Sequence, residues 1–369
     1  MGILKTFRDC ANFLIEKSYC MGQYYGEVKK IRNKDRKKLI EQVRWDNKQE
    51  KMFEKYWITN YGKKISSDWH KLYQYYTGNF RVDYFPEYLF SSKLEPLLDK
   101  NPYNDALEDK NLLHIYSING VKTPKIKYSC CNGIYRNENF EYISKDELLI
   151  GLANIGEIVI KPTVDSGSGR GVRFVELKNS IDVLSETRVG ELINIYKDKN
   201  FVIQECIKPA ESLKQIYPYA INTFRIITYI WEGEIFYCPI TLRLGRNGNR
   251  LDNAHAGGIF IGCNEDGYLR KYAYSEQGES FSKHPDTNIV FEGYKIDGFF
   301  KLINTCKKMH AITPQLGIIS WDVTIDEDGE VTLLEINTCG GSSWFPQMAN
   351  GEPLFGENTE KILKFLKSV

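Results

Sequence analysis

Apolar residues recur three and four apart through residues 7–15 and 39–56, the spacing of one buried helix face. The spacing therefore predicts two amphipathic helices in a first region, 1–100, that is rich in Lys, Tyr, Phe and Trp. The aromatic cluster between Tyr73 and Tyr88 reads as core. From about Leu94 the pattern changes. Residues 107–118 read as a helix closed by the Gly120–Pro124 turn. Short β-branched or alternating runs at 157–161, 171–177 and 202–207 read as strands, and 182–199 reads as a helix. Residues 221–231 and 234–244 form a predicted hairpin turned at Glu232-Gly233, and 299–316 reads as a helix. Runs 318–325 and 330–336 flank Asp326-Glu327-Asp328-Gly329, a second hairpin. Helices mixed with antiparallel hairpins make the fold class α+β. The divisions read from these shifts are 1–100, 101–208 and 209–369.

Composition narrows the class of protein. Hydrophobic residues are 42% and charged residues 26%, a globular balance rather than a disordered one. Forty-nine basic and 48 acidic side chains leave a net charge of +1, so no overall field draws the chain to nucleic acid. No apolar run reaches the ~18–20 residues of a membrane span, and no secretory leader is evident. Nine cysteines without a C-x-x-C pair suit small buried hydrophobes in a reducing cytoplasm. Seven of the ten residues 29–38 are basic, which fits a solvated helix face or contact with an anionic partner.

Two segments carry candidate chemistry. In 158–172, IVIKPTVDSGSGRGV, a strand ends in Lys161 and a loop follows with Ser166, Gly167, Ser168, Gly169 and Gly171. Glycines let successive amides turn toward one anion, and a lysine on the preceding strand offers it a point charge. In 319–341, Asp322 lies in one strand of the second hairpin, with Glu335 and Asn337 two apart on the other. Residues two apart in a strand share a face. Two carboxylates and an amide oxygen are hard ligands that suit Mg²⁺ held together with phosphates. Between these segments lie Asn222, Arg225 and Arg243 on strands and the loop Asp252–Gly258. There His255, near Arg243, Arg246 and Arg250, is as open to a structural role as to a chemical one.

Together these segments resemble the ATP-grasp superfamily, distantly the D-alanine–D-alanine ligases, over roughly residues 107–355. Asp109-Lys110 with the following helix and Gly–Pro turn is similar to the start of those ligases' central lobe. Lys161 with the loop 165–171 matches the second lysine and the phosphate-covering loop. Residues 204–207 fall at the adenine-binding hinge, and Asp322 with Glu335-x-Asn337 matches the metal-binding pattern. Two departures stand out. Glu335-Ile-Asn-Thr-Cys-Gly-Gly replaces the Glu-Ala-Asn-Thr-x-Pro-Gly of peptide-type ligases. Ser320 also stands where an arginine often precedes the first metal ligand, which leaves phosphate neutralisation to Arg225 or Arg243. The aromatic N-terminal region, Asn222-Thr-x-Arg225, Asn253-x-His255-x-Gly257-Gly258 and Trp321-Asp322 resemble the sugar-transfer-associated ATP-grasp proteins of bacterial surface-polysaccharide clusters.

The resemblance implies two α+β lobes gripping ATP, preceded by a mainly helical N-terminal region. It assigns Lys110, Lys161, Ser166, Gly167, Ser168, Gly169, Gln204, Glu205 and Ile207 to ATP. Asp322, Glu335 and Asn337 go to one or two Mg²⁺ ions, and Lys161, Arg225, Arg243 and His255 to catalysis. Asn222, Asn253, His255, Gly340 and Ser342 go to the substrates. The implied activity is a carboxylate–amine ligase acting through an acyl phosphate on a hexuronic acid and an amino acid or small amine. A sugar kinase and a non-catalytic ATP-binding partner of a glycosyltransferase complex are the alternatives. The implied setting is cytoplasmic, with glycosyltransferases of the same pathway and peripheral contact at the membrane's inner face as partners, and no nucleic acid.

Overall fold

The computed structural model describes residues 2–99, 104–117, 119–164 and 169–369, with side chains for all of these except 2–13 and 105. The N-terminal region is helical. A long helix, Gly2–Ile31, is followed by Lys34–Ile40, Asn47–Tyr61 and Asp68–Thr77. The continuous helix expected over 39–56 is interrupted because Asp46 forms a capping box with Gln49 and starts a new helix. The expected aromatic core is present: Tyr73, Tyr84, Phe85 and Phe90 are fully buried. These helices do not keep that core to themselves. Phe53, Trp57 and Phe90 share one cluster with Ile227, Tyr229, Ile318 and Leu363. Trp69 and Tyr73 share another with Phe260, Trp344 and Met348.

Two antiparallel sheets follow. The first has seven strands and is built from 126–205. Its centre places Ile126–Cys131, Phe201–Glu205, Gly156–Pro162 and Arg173–Lys178 side by side. The helix expected over 182–199 shrinks to Val189–Asn194. The Asp182 side chain instead accepts from Glu176 N, Leu184 N and Ser185 Oγ, so a turn replaces the first helical turns. The helix expected over 107–118 likewise breaks into Asn104–Glu108, a 3₁₀ turn at Lys110–Leu112 and His114–Ser117.

The second sheet has eight strands. Ile240–Leu244, Phe224–Trp231 and Ile318–Ile325 lie side by side in it, and Val331–Asn337 follows Ile318–Ile325 as the edge strand. Both predicted hairpins form, though the strand expected over 234–244 divides into Glu234–Tyr237 and Ile240–Leu244 around Pro239. Glu232 and Gly233 take φ of 50° and 85°, as a tight hairpin turn requires. Connecting segments are tied to the tip of the second hairpin: Leu333 N donates to Lys122 O at 2.9 Å and Ala210 N to Ile325 O at 2.8 Å. No helix among the described residues is long and apolar enough to cross a membrane.

Candidate functional site

Register brings the charged residues together. Asp322 is the cross-strand partner of Arg225 on one side and of Glu335 on the other. Thr241 opposes Arg225, so Arg243, two residues on, shares the same face. Direct partners on a sheet face stand within side-chain contact. Arg225 Nε donates to Asp322 Oδ1 at 2.5 Å, and Arg225 Nη2 to Oδ2 at 3.0 Å. Arg243 Nη2 lies 3.0 Å from the same Oδ2. Thr223 Oγ1 accepts from Arg243 Nε and Nη2 at 3.0 and 2.5 Å, which fixes that guanidinium. Burial alone would raise the Asp322 carboxyl, but the Arg225 and Arg243 guanidiniums outweigh it and hold the pKa below the ordinary carboxylate value. Across the hairpin, Lys110 Nζ donates to Glu335 Oε1 at 2.9 Å.

These groups line a cleft of 840 Å³ between the two sheets. Its wall combines Lys110, Lys161, Arg225, Arg243 and Arg250 with apolar Val159, Val172, Phe174, Ile207 and Leu334. Burial draws the Lys161 ammonium down to about 8, and the nearby Lys110 charge adds to the effect. Gly169 also lines the cleft; its φ is +76°, and an added Cβ would lie 2.9 Å from Leu251 Cδ1 of the second lobe. That position therefore needs glycine for both backbone and space. A cleft of this size, part apolar and part cationic, has the chemistry to hold a nucleotide: flat surface for a base and positive charge for phosphates.

The predicted residues divide into three groups. Lys110, Lys161, Gly169, Glu205, Ile207, Arg225, Arg243, Asn253, Asp322, Glu335 and Asn337 all line the cleft. Ser166, Gly167 and Ser168 lie outside the described residues. Gln204, Asn222, His255, Gly340 and Ser342 are not in the cleft wall. Gln204 is buried within the first sheet, and its Oε1 has no hydrogen-bond partner. Asn222, fully buried at φ +61°, donates Nδ2 to Leu213 O and Tyr217 O, and so serves the backbone rather than a ligand. His255 Nδ1 pairs with Glu276 Oε2 at 2.6 Å. Gly340 N donates to Glu95 Oε2 at 3.0 Å.

Sequence reasoning missed the residues that hold the loop after the metal pattern. Glu108 Oε1 accepts from Thr338 N and Cys339 N, Glu95 from Gly340 N and Gly341 N, and Glu87 from Ser343 N. Three carboxylates thus bind five amides of one six-residue stretch. No local pattern announces this, because each pairing spans more than 200 residues.

The resemblance implies Mg²⁺, and the donor set fits it with help. Asn337 Nδ2 donates to Ser320 O at 3.4 Å, which leaves Oδ1 as its acceptor. Among the described residues no three His, Cys, Asp or Glu groups form a metal cluster on their own. One or two carboxylates completed by phosphate oxygens is the usual arrangement for this ion.

No curated protein matches the chain. Among solved structures it is similar to an L-amino acid ligase from Bacillus licheniformis (15% identity over 72% of this chain and 50% of that one, TM-score 0.40). It is also similar to the VanG D-Ala:D-Ser ligase from Enterococcus faecalis (12%, 71% and 62%, TM-score 0.42) and to D-alanyl-alanine synthetase A from Vibrio cholerae (12%, 72% and 66%, TM-score 0.40). The chain thus covers between 50% and 66% of the length of these three proteins. The model of the family described as sugar-transfer associated ATP-grasp matches residues 89–363. That match takes in both sheets and every residue of the cleft wall, and the chain belongs to the sugar-transfer associated ATP-grasp family.

Proposed function

We propose that this protein is an ATP-dependent carboxylate–amine ligase that activates a sugar carboxylate, of the hexuronic class, and joins it to an amine. The observation that carries the reading is the row Arg243–Arg225–Asp322–Glu335–Lys110, in which three cations flank two carboxylate ligands along one wall of the cleft. Phosphoryl transfer needs mainly positioning and charge neutralisation, and this row supplies both. Bound Mg²⁺, held by Glu335, Asn337 and Asp322, would supply charge neutralisation at the phosphates of ATP. Lys110 and Lys161 would hold phosphate oxygens. Glu205, Ile207 and the apolar wall would hold the base. Arg225 and Arg243, released from Asp322 as metal and phosphate arrive, would clamp the transferred phosphoryl group. A substrate carboxylate oxygen bonds to the γ-phosphorus as ADP leaves. The amine nitrogen then bonds to the acyl carbon as phosphate leaves, and the nitrogen loses a proton. The sugar rests on the family's association with sugar transfer, which also makes a glycosyltransferase the expected user of the product.

Hydroxylamine tests this reading. Protein, ATP, Mg²⁺ and a panel of uronic acids should give ADP and a hydroxamate, because hydroxylamine traps an activated acyl group. ADP formation that leaves a phosphate ester on the sugar, with no hydroxamate, would replace the ligase with a kinase.

A further inference from the structure

The first helix, Gly2–Ile31, rests on the body by one side only. On that side Glu27 and Ile31 are buried, Ile31 in a cluster with Trp69 and Tyr73, and Tyr24 meets Tyr88 edge-on with ring centroids 5.5 Å apart. On the other side Leu14, Met21 and Tyr25 are 64%, 50% and 63% exposed. Spacings of seven and four residues put these three within ~40° of one another around the helix axis, and spread them over ~17 Å along it, so they form one apolar row. The same spacing runs back in the sequence through Phe7 and Ile3. Lys17 and Lys29, both exposed, flank the row about 60° away on either side. Past the helix end, Arg32, Lys34 and Lys37 are exposed as well. Residues 1–38 hold ten basic and four acidic side chains, a net of +6 in a chain whose total is +1, so the remaining residues carry −5. A long basic side chain beside an apolar row lays its stem along the row and keeps its charge in water. Lysine is depleted at protein–protein interfaces, whereas a helix that lies in a membrane interface combines an apolar row with lysines and arginines.

We infer that the first helix docks on an anionic lipid surface, with Leu14, Met21 and Tyr25 at the boundary between headgroups and acyl chains and the basic side chains of 17–38 against lipid phosphates. The helix lies in the plane of the interface and does not span it. The same surface repels the −5 of the remaining residues, so charge alone turns the molecule helix-down. The inference does not depend on the ligase reading, because none of these residues lines the cleft.

Co-sedimentation of the full chain with sucrose-loaded vesicles tests this. One set is phosphatidylcholine with about a third phosphatidylglycerol, the other phosphatidylcholine alone, both at physiological salt. The protein should pellet with the anionic vesicles and stay in solution with the neutral ones. Lys29→Gln combined with Lys34→Gln should weaken binding about 25-fold, at about fivefold for each basic residue held near an anionic surface. Met21→Glu combined with Tyr25→Glu should abolish pelleting. Its urea midpoint should stay unchanged, because both side chains are exposed. No pelleting with anionic vesicles, equal pelleting with neutral ones, or pelleting that survives the Glu pair overturns the inference. Light scattering without lipid supplies the remaining outcome. A dimer that the Glu pair dissociates, with no vesicle binding by the unaltered protein, would give the row to a second copy of the chain and overturn the lipid surface. The contrast between the two vesicle sets in the unaltered protein decides the matter even if a variant folds poorly.

Discussion

In the cleft, Asp322 sits against Arg225 and Arg243, and Glu335 against Lys110. On the far side of the 338–343 loop, Glu95 and Asp99 are as deeply buried as Asp322, yet their hydrogen bonds come from backbone amides. The two sets of carboxylates differ in what can be exchanged. An ion pair between mobile side chains can swap partners when a metal and a phosphate arrive together, since each charge finds a new opposite. A carboxylate clamped by main-chain N–H groups cannot leave without unmaking the loop. The first set is suited to chemistry, and the second to holding the loop.

The comparison breaks most visibly at Asp322. Asp322→Ala leaves two buried guanidiniums without a counter-charge, and it should cost about 3–5 kcal/mol, read as a lower urea midpoint. ADP release should disappear with it. A stability change within error would mean that the arginines are not paired to Asp322 in solution. Lys110→Met strips the cation from Glu335 and should cost less, about 1.5–3 kcal/mol, the range for a hydrogen bond to a charged group. It should also weaken nucleotide binding in a fluorescence titration; unchanged affinity would remove Lys110 from the phosphate site.

Glu95→Gln keeps the shape but turns an amide NH₂ toward one of the two glycine N–H groups. One donor is then unsatisfied, at about 1–3 kcal/mol, and hydrogen exchange at Gly340 and Gly341 should speed up. Slow exchange in the variant would show that the clamp is not what orders the loop. The smallest effect is at Asp99→Asn, where Oδ1 can still accept both amides and the NH₂ takes the place of the unpartnered Oδ2. Glu95 and Asp99 have folded pKa values raised to about 8 and about 7, above their unfolded values, so the folded state binds more protons between about pH 4 and 8. Their contribution to stability therefore falls as pH rises through that window. Asp99→Asn should flatten this fall in a series of melting temperatures, and an unaltered slope would assign it to other groups.

Much of the arrangement of the cleft's charged wall was legible because it is local. Strand alternation placed Glu335 and Asn337 on one face, and the acidic turn announced the hairpin that brings Asp322 beside them. The aromatic run 73–88 read as core because so many rings can be buried nowhere else. Legibility failed where a polar side chain chose a distant or turn-forming partner. Asp182 capped a turn inside an apparent helix, and Asn222 bound two carbonyls at positive φ. Glu87, Glu95 and Glu108 carry no local signal, because their amide partners lie more than 200 residues away. His255 took its interest from sequence neighbours, whereas the fold gave it Glu276.

The most direct measurement follows oxygen. A uronic acid labelled with ¹⁸O in its carboxylate is incubated with the protein, ATP, Mg²⁺ and a pool of amino acids and small amines, and the released phosphate is weighed by mass spectrometry. Activation of the carboxylate passes one labelled oxygen to phosphorus, so inorganic phosphate carrying a single ¹⁸O is the predicted result. Phosphate that stays on the sugar while both labelled oxygens remain in the carboxylate would contradict a ligase and leave a kinase in its place.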